Sequence, residues 1–270
     1  MNPLFSIIIP TYNSETVIRA CLQSICKQTF LDYEIIIIDS LSKDATIDIV
    51  KEYVAAHSNI HYLSEKDGGI YDAMNKGIRM SKGIWLYFIG ADDLLYDNSI
   101  LEKLVTATQS SKSKIIYGNV LVKGNAGWAA DGEIYARRFS IKKIITQNIC
   151  HQAIFYHREV FEKIGLYNER YRICADHDFN IRAAANFKFT YSDLIVAIFS
   201  GGGISTTPDY NFKNDFEKNI VKYCPLKLPF IRVRSYKLAQ QADIYFTSKK
   251  FVRGVLLYGL YIWKRFIQQT

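Results

Sequence analysis

Two adjacent carboxylates, Asp92 and Asp93, follow a continuous apolar run, residues 84–89, that contains aromatic and β-branched side chains. Such a run predicts a buried strand, parallel to a neighbour and central in a sheet. Ligands of open α/β sheets bind where the strands end, and two carboxylates placed there repel each other unless a cation lies between them. Mg²⁺ and Mn²⁺ prefer such oxygen ligands and often share them with a diphosphate. The pair therefore predicts a metal site for a nucleotide diphosphate, with a polar turn that caps the next helix as the alternative.

Polar residues also follow the first two predicted strands. The segment Pro10–Asn13 ends the first strand, and Asp39 ends the second. The ring of Tyr12 can stack on a base, and the carboxylate of Asp39 can accept a hydrogen bond from a base N–H. A dinucleotide site would instead require a GxGxxG motif after the first strand, and the chain has none.

Five other positions have both a chemical and a structural interpretation. Asp176 and Asp178 stand where a helix is predicted to begin, so they either favour its dipole or supply a general base that deprotonates a bound hydroxyl. His151 begins a predicted strand and is either structural or a ligand. The polar face of the predicted helix at residues 70–78 is either solvated or brings a lysine, Lys66 or Lys76, towards a diphosphate.

The elements that must position these residues alternate between strands and helices. Strands are predicted at residues 5–9, 34–38, 60–63, 84–89, 114–122, 134–139, 151–157, 189–192 and 195–199. Helices are predicted after residue 14 and at residues 44–57, 70–78, 99–108, 140–146, 158–165 and about 175–185. This alternation predicts right-handed βαβ units and a parallel sheet.

The composition is that of a globular protein, with 49% hydrophobic and 22% charged residues. The five cysteines form no CxxC pair, which argues against a zinc site or a disulfide framework and favours a reducing cytosol. The short apolar run near the N-terminus has no basic flank and is interrupted by Pro10, so a signal peptide is not expected.

The basic charge is concentrated near the end of the chain. Residues 211–270 contain 12 Lys and Arg against 3 Asp and Glu, a net charge of +9, whereas the whole chain has +8. Residues 251–263 are hydrophobic but too short and too charged for a bilayer span. They predict either a helix in an anionic membrane interface or a helix packed on the main domain. Nucleic acid is not an expected partner, because no nucleic-acid-binding motif accompanies the charge.

Seven short motifs occur in a characteristic order over residues 5–206. They are PTYN (10–13), IID (37–39), GIYDAMNKG (69–77), GADD (90–93), HQ (151–152), ADHD (175–178) and GGIS (202–205). In this order the chain resembles inverting family 2 glycosyltransferases, and the GIYDAMNKG segment resembles their O-antigen and exopolysaccharide branch. The resemblance implies an α/β fold of the GT-A type, Rossmann-like, with a mainly parallel central sheet flanked by helices in residues 1–208. A basic amphipathic helical extension would follow in residues 209–270.

The resemblance completes the predicted site. Asp176 would be the catalytic base, and Asp93 the metal ligand, with Asp92 and His151 as further candidate ligands. Two positions depart from the family pattern: Ala175 replaces a glutamate, which Asp178 could partly replace, and Ser40 replaces a second aspartate after Asp39. The predicted donor-binding residues are Pro10, Thr11, Tyr12, Asn13, Asp39, Lys66, Asn75 and Asp92.

These expectations describe an inverting hexosyltransferase that uses Mg²⁺ or Mn²⁺. It would move a hexose from a UDP-sugar to a saccharide acceptor, lipid-linked, in bacterial surface polysaccharide biosynthesis, at the cytoplasmic face of the plasma membrane. The missing glutamate leaves a non-catalytic sugar-nucleotide-binding subunit of a polysaccharide assembly complex as the alternative. A nucleotidyltransferase would normally carry a basic, glycine-rich phosphate loop near the first strand, and the chain has none.

Overall fold

A mixed sheet of nine strands forms the centre of the residues that the structure describes. The computed structural model describes residues 2–135, 137–140, 143–144, 147–202, 209–223, 254–256 and 259–260. The strands are β1 (Phe5–Thr11), β2 (Tyr33–Asp39), β3 (Ile60–Ser64), β4 (Trp85–Phe88), β5 (Leu94–Leu95), β6 (Ile115–Lys123), β7 (Ile134–Tyr135), β8 (Ile154–His157) and β9 (Phe189–Ser200). Their order is β3-β2-β1-β4-β8-β6-β9-β5, and β7 pairs with β6.

Helices cover both faces of this sheet and divide the core into two layers. The helices are α1 (Ile18–Cys26), α2 (Thr46–Ala56), α3 (Ile70–Met80), α4 (Ile100–Ser110), α5 (Arg158–Ile164), α6 (Ala175–Asn186) and α7 (Tyr210–Tyr223). Because side chains alternate along a strand, Ile7 and Ile9 pack in the layer with α1, α2 and α4, while Ile8 packs in the layer with α3, α5 and α6.

Strands β1 to β4 form the part of the sheet that the sequence predicts best, and we call residues 5–93 the parallel half. The predicted strand at residues 84–89 is β4, which pairs in parallel with β1 on one side and antiparallel with β8 on the other. Helix α3 packs closely on β1, because a Cβ atom on Gly77 would lie 2.4 Å from Cγ2 of Ile8. Every residue of β1, β2 and β4 is buried, which explains their continuous apolar sequences.

The described part of residues 94–202, which we call the mixed half, differs from the prediction in several elements. The two strands predicted at residues 189–192 and 195–199 are one strand, β9, interrupted by a bulge opposite Gly118 and Asn119. The amide of Asn119 donates to the carbonyl of Leu194 at 3.2 Å and holds this bulge. The strand predicted at residues 134–139 ends at Tyr135, and the one predicted from His151 begins with a 3₁₀ turn. Strand β5 was not predicted.

The first part of the predicted C-terminal extension packs on the mixed half. In α7, Phe212 and Ile220 are buried in the same core as α6, and the amide of Asn219 donates to Asp178 at 3.0 Å. Of the predicted helix at residues 251–263, only residues 254–256 and 259–260 are described, and they are helical. None of the helices seen in the described ranges has the length and apolarity that a bilayer crossing requires.

Candidate active site

The ends of β1, β2 and β4 bring three predicted site segments to one edge of the sheet. Thr11 and Asp39 are register partners at the ends of β1 and β2. Strand β4 lies on the other side of β1, and the loop with Asp92 and Asp93 follows it directly. These residue types therefore converge, as the carboxyl ends of neighbouring parallel strands require.

Asp39 is fully buried at this edge and holds the loop that follows β2. Its carboxylate accepts hydrogen bonds from the backbone N–H and the hydroxyl of Ser42, and from the hydroxyl of Ser64 at 2.6 Å. The hydroxyl of Thr11 is buried and has no hydrogen-bond partner among the described residues, while Tyr12 exposes 56% of its surface. A buried, unpaired hydroxyl next in sequence to an exposed ring suits a ligand with a flat polar group.

Asn13 fastens the loops after β1 and β2 to each other. Its backbone N–H donates to the hydroxyl of Ser42 at 2.8 Å, and its side-chain oxygen accepts from the N–H of Lys43 at 2.9 Å. Asn13 has a positive φ of 47°, which asparagine tolerates better than most residues. Pro10 lies within β1 opposite Ile38 and shapes the strand rather than the loop.

The two carboxylates after β4 have opposite environments. Asp93 is buried, and its carboxylate accepts hydrogen bonds from the side chain of Gln152 at 2.7 Å, the N–H of Ser200 at 2.8 Å and the N–H of Gly90 at 3.2 Å. Asp92 is exposed. Burial raises the pKa of the Asp93 carboxyl to about 7, and the charge of Asp92 adds to this, although Ser200 and Gln152 oppose it.

Asp176 lies at the start of α6 among four hydrogen-bonding groups. One oxygen accepts from the hydroxyl of Tyr71 at 3.0 Å and the N–H of His177 at 2.8 Å. The other accepts from the amide of Asn148 at 2.7 Å and lies 3.5 Å from Nδ1 of His151. Burial would raise the pKa of the Asp176 carboxyl, but the contacts of His151, His177 and Tyr71 outweigh it, so the pKa lies below its ordinary value. Asp176 is therefore ionised at neutral pH and can accept a proton.

One 3₁₀ turn, His151–Ala153, connects these two acidic centres. His151 faces Asp176, and the next residue, Gln152, donates to Asp93. The Nε2 atom of His151 is buried and has no hydrogen-bond partner among the described residues. Asp93 and Asp176 are thus contacted by two residues that are adjacent in the sequence.

Comparison with known sequences identifies the family of the chain. The model of the family described as "Glycosyl transferase family 2" matches residues 6–165, more than half of the chain. The chain belongs to glycosyl transferase family 2. The "PGL/p-HBAD biosynthesis glycosyltransferase Rv2957" of Mycobacterium tuberculosis is 40% identical to this family 2 chain over 214 residues, which cover 76% of the chain and 80% of the relative.

Solved structures share the fold. S. aureus TarS 1–349 in complex with UDP-GlcNAc aligns with a TM-score of 0.67 at 20% identity, covering 92% of this chain and 73% of that one. The mannosyltransferase PcManGT from Pyrobaculum calidifontis, in complex with GDP-Man and Mn²⁺, aligns with a TM-score of 0.54 at 14% identity, covering 98% and 88%. The predicted GT-A fold of a family 2 glycosyltransferase is confirmed.

The acidic pair of this family 2 chain fits a divalent cation in part. A Cβ atom on Gly90 would lie 2.8 Å from one carboxylate oxygen of Asp92 and one of Asp93, so both carboxylates fold over the same glycine. A cation would relieve the repulsion that raises the pKa of Asp93. In the described ranges, no group of three or more His, Cys, Asp and Glu side chains is arranged to hold a metal. His151 therefore does not complete a site of protein ligands, and a diphosphate or water would have to supply the remaining ones.

The lysines near α3 are placed differently from each other. Lys76 forms ion pairs with Glu65 at 2.9 Å and Asp72 at 3.7 Å and donates to the carbonyl of Lys66 at 2.8 Å. The side chain of Lys66 is exposed. Of these two lysines of the family 2 chain, Lys66 is the one without an observed ion pair, and it stays the predicted diphosphate contact.

Asn75 is buried, and its amide already has three partners. Its nitrogen donates to the carbonyl of Tyr167 at 3.1 Å and to Glu169 at 2.7 Å, and its oxygen accepts from the N–H of Tyr167 at 3.0 Å. The structure uses Asn75 to join α3 to the segment before α6. The buried amide of Asn75 is thus used within the protein, and its predicted contact with the donor stays a prediction.

The position that departs from the family pattern, Ala175, is fully buried. Asp178 does not take its place, because its carboxylate accepts from Arg182 at 2.8 Å and from Asn219 at 3.0 Å, away from Asp176. Asp178 joins α6 to α7 instead. Asp176 is the carboxylate of the ADHD motif that faces His151.

Four residues of the site had no predicted role. Tyr71 and Gln152 lie inside predicted motifs, so their polar groups within buried segments were a usable signal. Asn148 and Ser200 lie in irregular or strand-terminal positions whose contacts form only in the folded chain, and nothing in their sequence spacing indicates Asp176 or Asp93 as partners.

Proposed function

We propose that this family 2 glycosyltransferase is an inverting hexosyltransferase that transfers a sugar from a UDP-sugar to a saccharide acceptor. The observation that carries the proposal is the connection of an ionised, buried Asp176 to the Asp92–Asp93 pair through the adjacent residues His151 and Gln152. Direct sugar transfer requires a base for the acceptor and neutralisation of the leaving group, and a cation held by the acidic pair would supply the second.

The donor would bind at the edge formed by β1, β2 and β4. The ring of Tyr12 would stack on uracil, the unpaired hydroxyl of Thr11 would hydrogen-bond to the nucleoside, and Asp39 would accept from the base N–H. Pro10 would shape the end of β1, Asn13 would hold the loop after it, and Lys66 would approach the diphosphate. TarS in complex with UDP-GlcNAc supports a UDP-sugar, although its likeness concerns the fold.

Asp93 would hold a divalent cation, Mg²⁺ or Mn²⁺, together with the more accessible Asp92. Bound there, the cation would neutralise the charge that develops on the departing diphosphate. The Mn²⁺ in the PcManGT complex supports this choice of ion class. Gln152 and Ser200 would orient Asp93 so that its free lone pairs point towards Asp92.

Asp176 would act as the general base. The carboxylate oxygen that contacts Asn148 would receive the proton, because its other contact, with Nδ1 of His151 at 3.5 Å, is the longest that Asp176 makes. As the acceptor oxygen forms its bond to the anomeric carbon, its proton passes to Asp176, and the bond from that carbon to the diphosphate oxygen breaks. This single displacement releases UDP and inverts the anomeric configuration.

The acceptor would be a lipid-linked saccharide of bacterial surface polysaccharide biosynthesis, reached at the cytoplasmic face of the membrane. The net charge of +9 in residues 211–270 supports contact with an anionic surface. Flotation with anionic liposomes tests this point. The full chain should float, and a variant truncated before Lys249 should not; equal flotation of both would contradict a role for the extension.

The chemistry is tested by nucleotide release from a panel of UDP- and GDP-sugars, with bacterial membrane lipid extract as acceptor and with Mn²⁺ or EDTA. Asp176→Asn should keep the Kd for UDP within about twofold and lower turnover about 10²-fold or more, since it removes the base and little volume. Asp48→Asn, an exposed change of the same kind, serves as the control. Equal turnover of Asp176→Asn and wild type would remove Asp176 from the mechanism. Binding of UDP without turnover by the wild type would favour the non-catalytic subunit.

A further inference from the structure

A single tryptophan stands at the tip of the hairpin between β6 and β7. The N–H of Ala126 donates to the carbonyl of Ala129 at 3.3 Å and closes a turn with Gly127 and Trp128 at its centre. Gly127 has a φ of +77°, which glycine adopts without strain. The two alanines are buried, whereas Trp128 exposes 39% of its surface. A large aromatic residue thus occupies a place where turns usually carry small polar residues.

The hairpin is held in shape by its own polar side chains. Three of them accept hydrogen bonds from nearby backbone N–H groups at 2.7 to 3.1 Å, namely Asp131 from Gly124, Asn125 from Gly127 and Glu133 from Ala130. The N–H of Gly132 also donates to the carbonyl of Val122 at 2.8 Å. A loop fixed in this way loses little conformational freedom when a ligand binds to it.

On one side, Trp128 contacts the chain segment that holds the acidic pair. Its ring centroid lies 5.2 Å from that of Phe199. The next residue, Ser200, donates its N–H to Asp93 at 2.8 Å and its hydroxyl to the carbonyl of Asp92 at 2.7 Å. Gly201 then lies so close to the hairpin that a Cβ atom on it would approach the backbone of residues 125 and 126 to 2.7–2.9 Å.

On the other side, Trp128 is connected to the proposed base. Its ring centroid lies 4.6 Å from that of Tyr135. The hydroxyl of Tyr135 donates to the carbonyl of Asn148 at 2.8 Å, and the amide of Asn148 donates to Asp176 at 2.7 Å. The indole is therefore tied to both centres between which the acceptor hydroxyl must react.

The position of Trp128 in the sheet separates it from the proposed nucleotide. Tyr12 follows β1, which lies between β2 and β4, whereas Trp128 follows β6, on the far side of β8. A nucleobase on Tyr12 would thus lie on the side of the acidic pair away from the hairpin. The remaining substrate of the proposed reaction is the acceptor.

We propose that Trp128 and the hairpin of residues 124–133 form an acceptor subsite, in which the indole stacks on a pyranose ring. The inference rests on the proposed function and names the group that recognises its acceptor. The face of an indole is electron-rich, and the C–H groups on one face of a pyranose are its weakly positive counterpart. Apolar area on the same indole adds the favourable burial of the sugar ring.

Transfer to methyl and octyl pyranosides of glucose, galactose, mannose and N-acetylglucosamine tests the subsite, with UDP-sugar hydrolysis without acceptor as a second readout. Trp128→Ala should raise the acceptor KM about tenfold or more, equivalent to about 1.4 kcal/mol, and leave hydrolysis and UDP affinity within about twofold. The acceptor KM of Trp128→Phe should lie between those of the wild type and Trp128→Ala. Ile134→Ala is the matched control, because Ile134 is equally exposed at 39% on the same hairpin and makes no ring stack.

Several results would overturn the subsite. An unchanged acceptor KM in Trp128→Ala would do so, as would an equal loss of hydrolysis and transfer, since Trp128 would then only support Ser200. An effect confined to the octyl series would assign Trp128 to an alkyl chain rather than a sugar ring.

A binding experiment keeps the inference testable if Trp128→Ala is poorly folded. The pyranoside that is bound should quench the tryptophan emission of the wild type in a saturable way, and Trp128→Phe should lose that quench. If no pyranoside of the panel binds or reacts while UDP still binds, the subsite is refuted and the donor assignment stands. If UDP itself is neither bound nor released from any donor, it is the proposed function that fails.

Discussion

The parallel and mixed halves of the sheet organise their polar groups in different ways. In the parallel half, Asp39 is held by Ser42, which follows the same strand, and by Ser64, which ends the neighbouring strand β3. In the mixed half, Asp176 is held by Asn148 from an irregular segment and by Tyr71, 105 residues away on the other half. Asp39 is thus held by the ends of neighbouring strands, whereas Asp176 depends on an irregular segment and on a residue that is distant in the sequence.

The two halves also differ in their cores. The parallel half packs β1 and β2 with repeated isoleucines, which need only a continuous apolar strand to be buried. The mixed half packs aromatic rings, with Phe179 of α6 edge-to-face against Tyr156 at 5.3 Å and tilted against Tyr167 at 4.9 Å. Aromatic pairs have preferred geometries, so this core fixes the angle of α6 and with it the position of Asp176.

Gln152 connects the two halves through its hydrogen bond to Asp93. Of the three substitutions Gln152→Glu, Asn75→Ala and Tyr12→Ala, the first should have the largest effect. It would place a second buried carboxylate against Asp93, whose pKa is already raised to about 7 by burial and by Asp92. We expect the free energy of unfolding to fall by about 3 kcal/mol, as for an uncompensated buried charge, and activity to be lost. Urea unfolding measures the first and nucleotide release the second.

The control for this change is Gln147→Glu, the same substitution on an exposed residue five positions earlier. Gln147→Glu should measurably change neither the free energy of unfolding nor the rate of nucleotide release. A Gln152→Glu variant as stable as Gln147→Glu would show that the 3₁₀ turn does not couple the two acidic centres.

The same contrast explains which parts of the molecule could be predicted. Strand ends at Thr11, Asp39 and Asp93 could be read from apolar runs that stop at polar residues, because register in a parallel sheet follows from such runs. Asp176 could be predicted at the start of a helix, and the order of the family motifs assigned it to the same predicted site as Asp39 and Asp93. The sequence therefore predicts which residues carry out the chemistry, but it does not predict the contacts that these residues make in the folded chain.

The unpredicted parts depend on tertiary contacts. Ser192 and Asp193 interrupt an apolar pattern and so indicated a loop, but the bulge opposite Gly118 keeps β9 continuous. The burial of Asn75 could not be predicted, because its partner Tyr167 lies 92 residues away. A polar residue on a helix is predicted to be exposed to solvent unless the distant segment that covers it is known.

Asn75→Ala should have the next largest effect, and it separates a structural from a ligand-binding role. The change leaves the backbone N–H and carbonyl of Tyr167 without their partners in a buried place, which should cost about 2 kcal/mol of folding free energy. Thermal unfolding and UDP titration are the two measurements. Because the amide is already bonded within the protein, the Kd for UDP should stay within about twofold.

The exposed Asn98→Ala, a change of the same size, provides the comparison for Asn75→Ala. A normal melting temperature with weakened UDP binding would contradict the structural role of Asn75. It would return this residue to the predicted donor site.

Tyr12→Ala should have the smallest effect and test the parallel half alone. Tyr12 exposes 56% of its surface and its side chain supports no other element, so stability should not change. A base that stacks on the ring would lose that contact, and stacking on an aromatic side chain contributes enough for UDP affinity to fall roughly fivefold. Tyr12→Phe keeps the ring and should bind UDP as the wild type does. If both variants bind UDP equally well, the base lies elsewhere along this edge, and Thr11 with its unpaired hydroxyl becomes the position to change next.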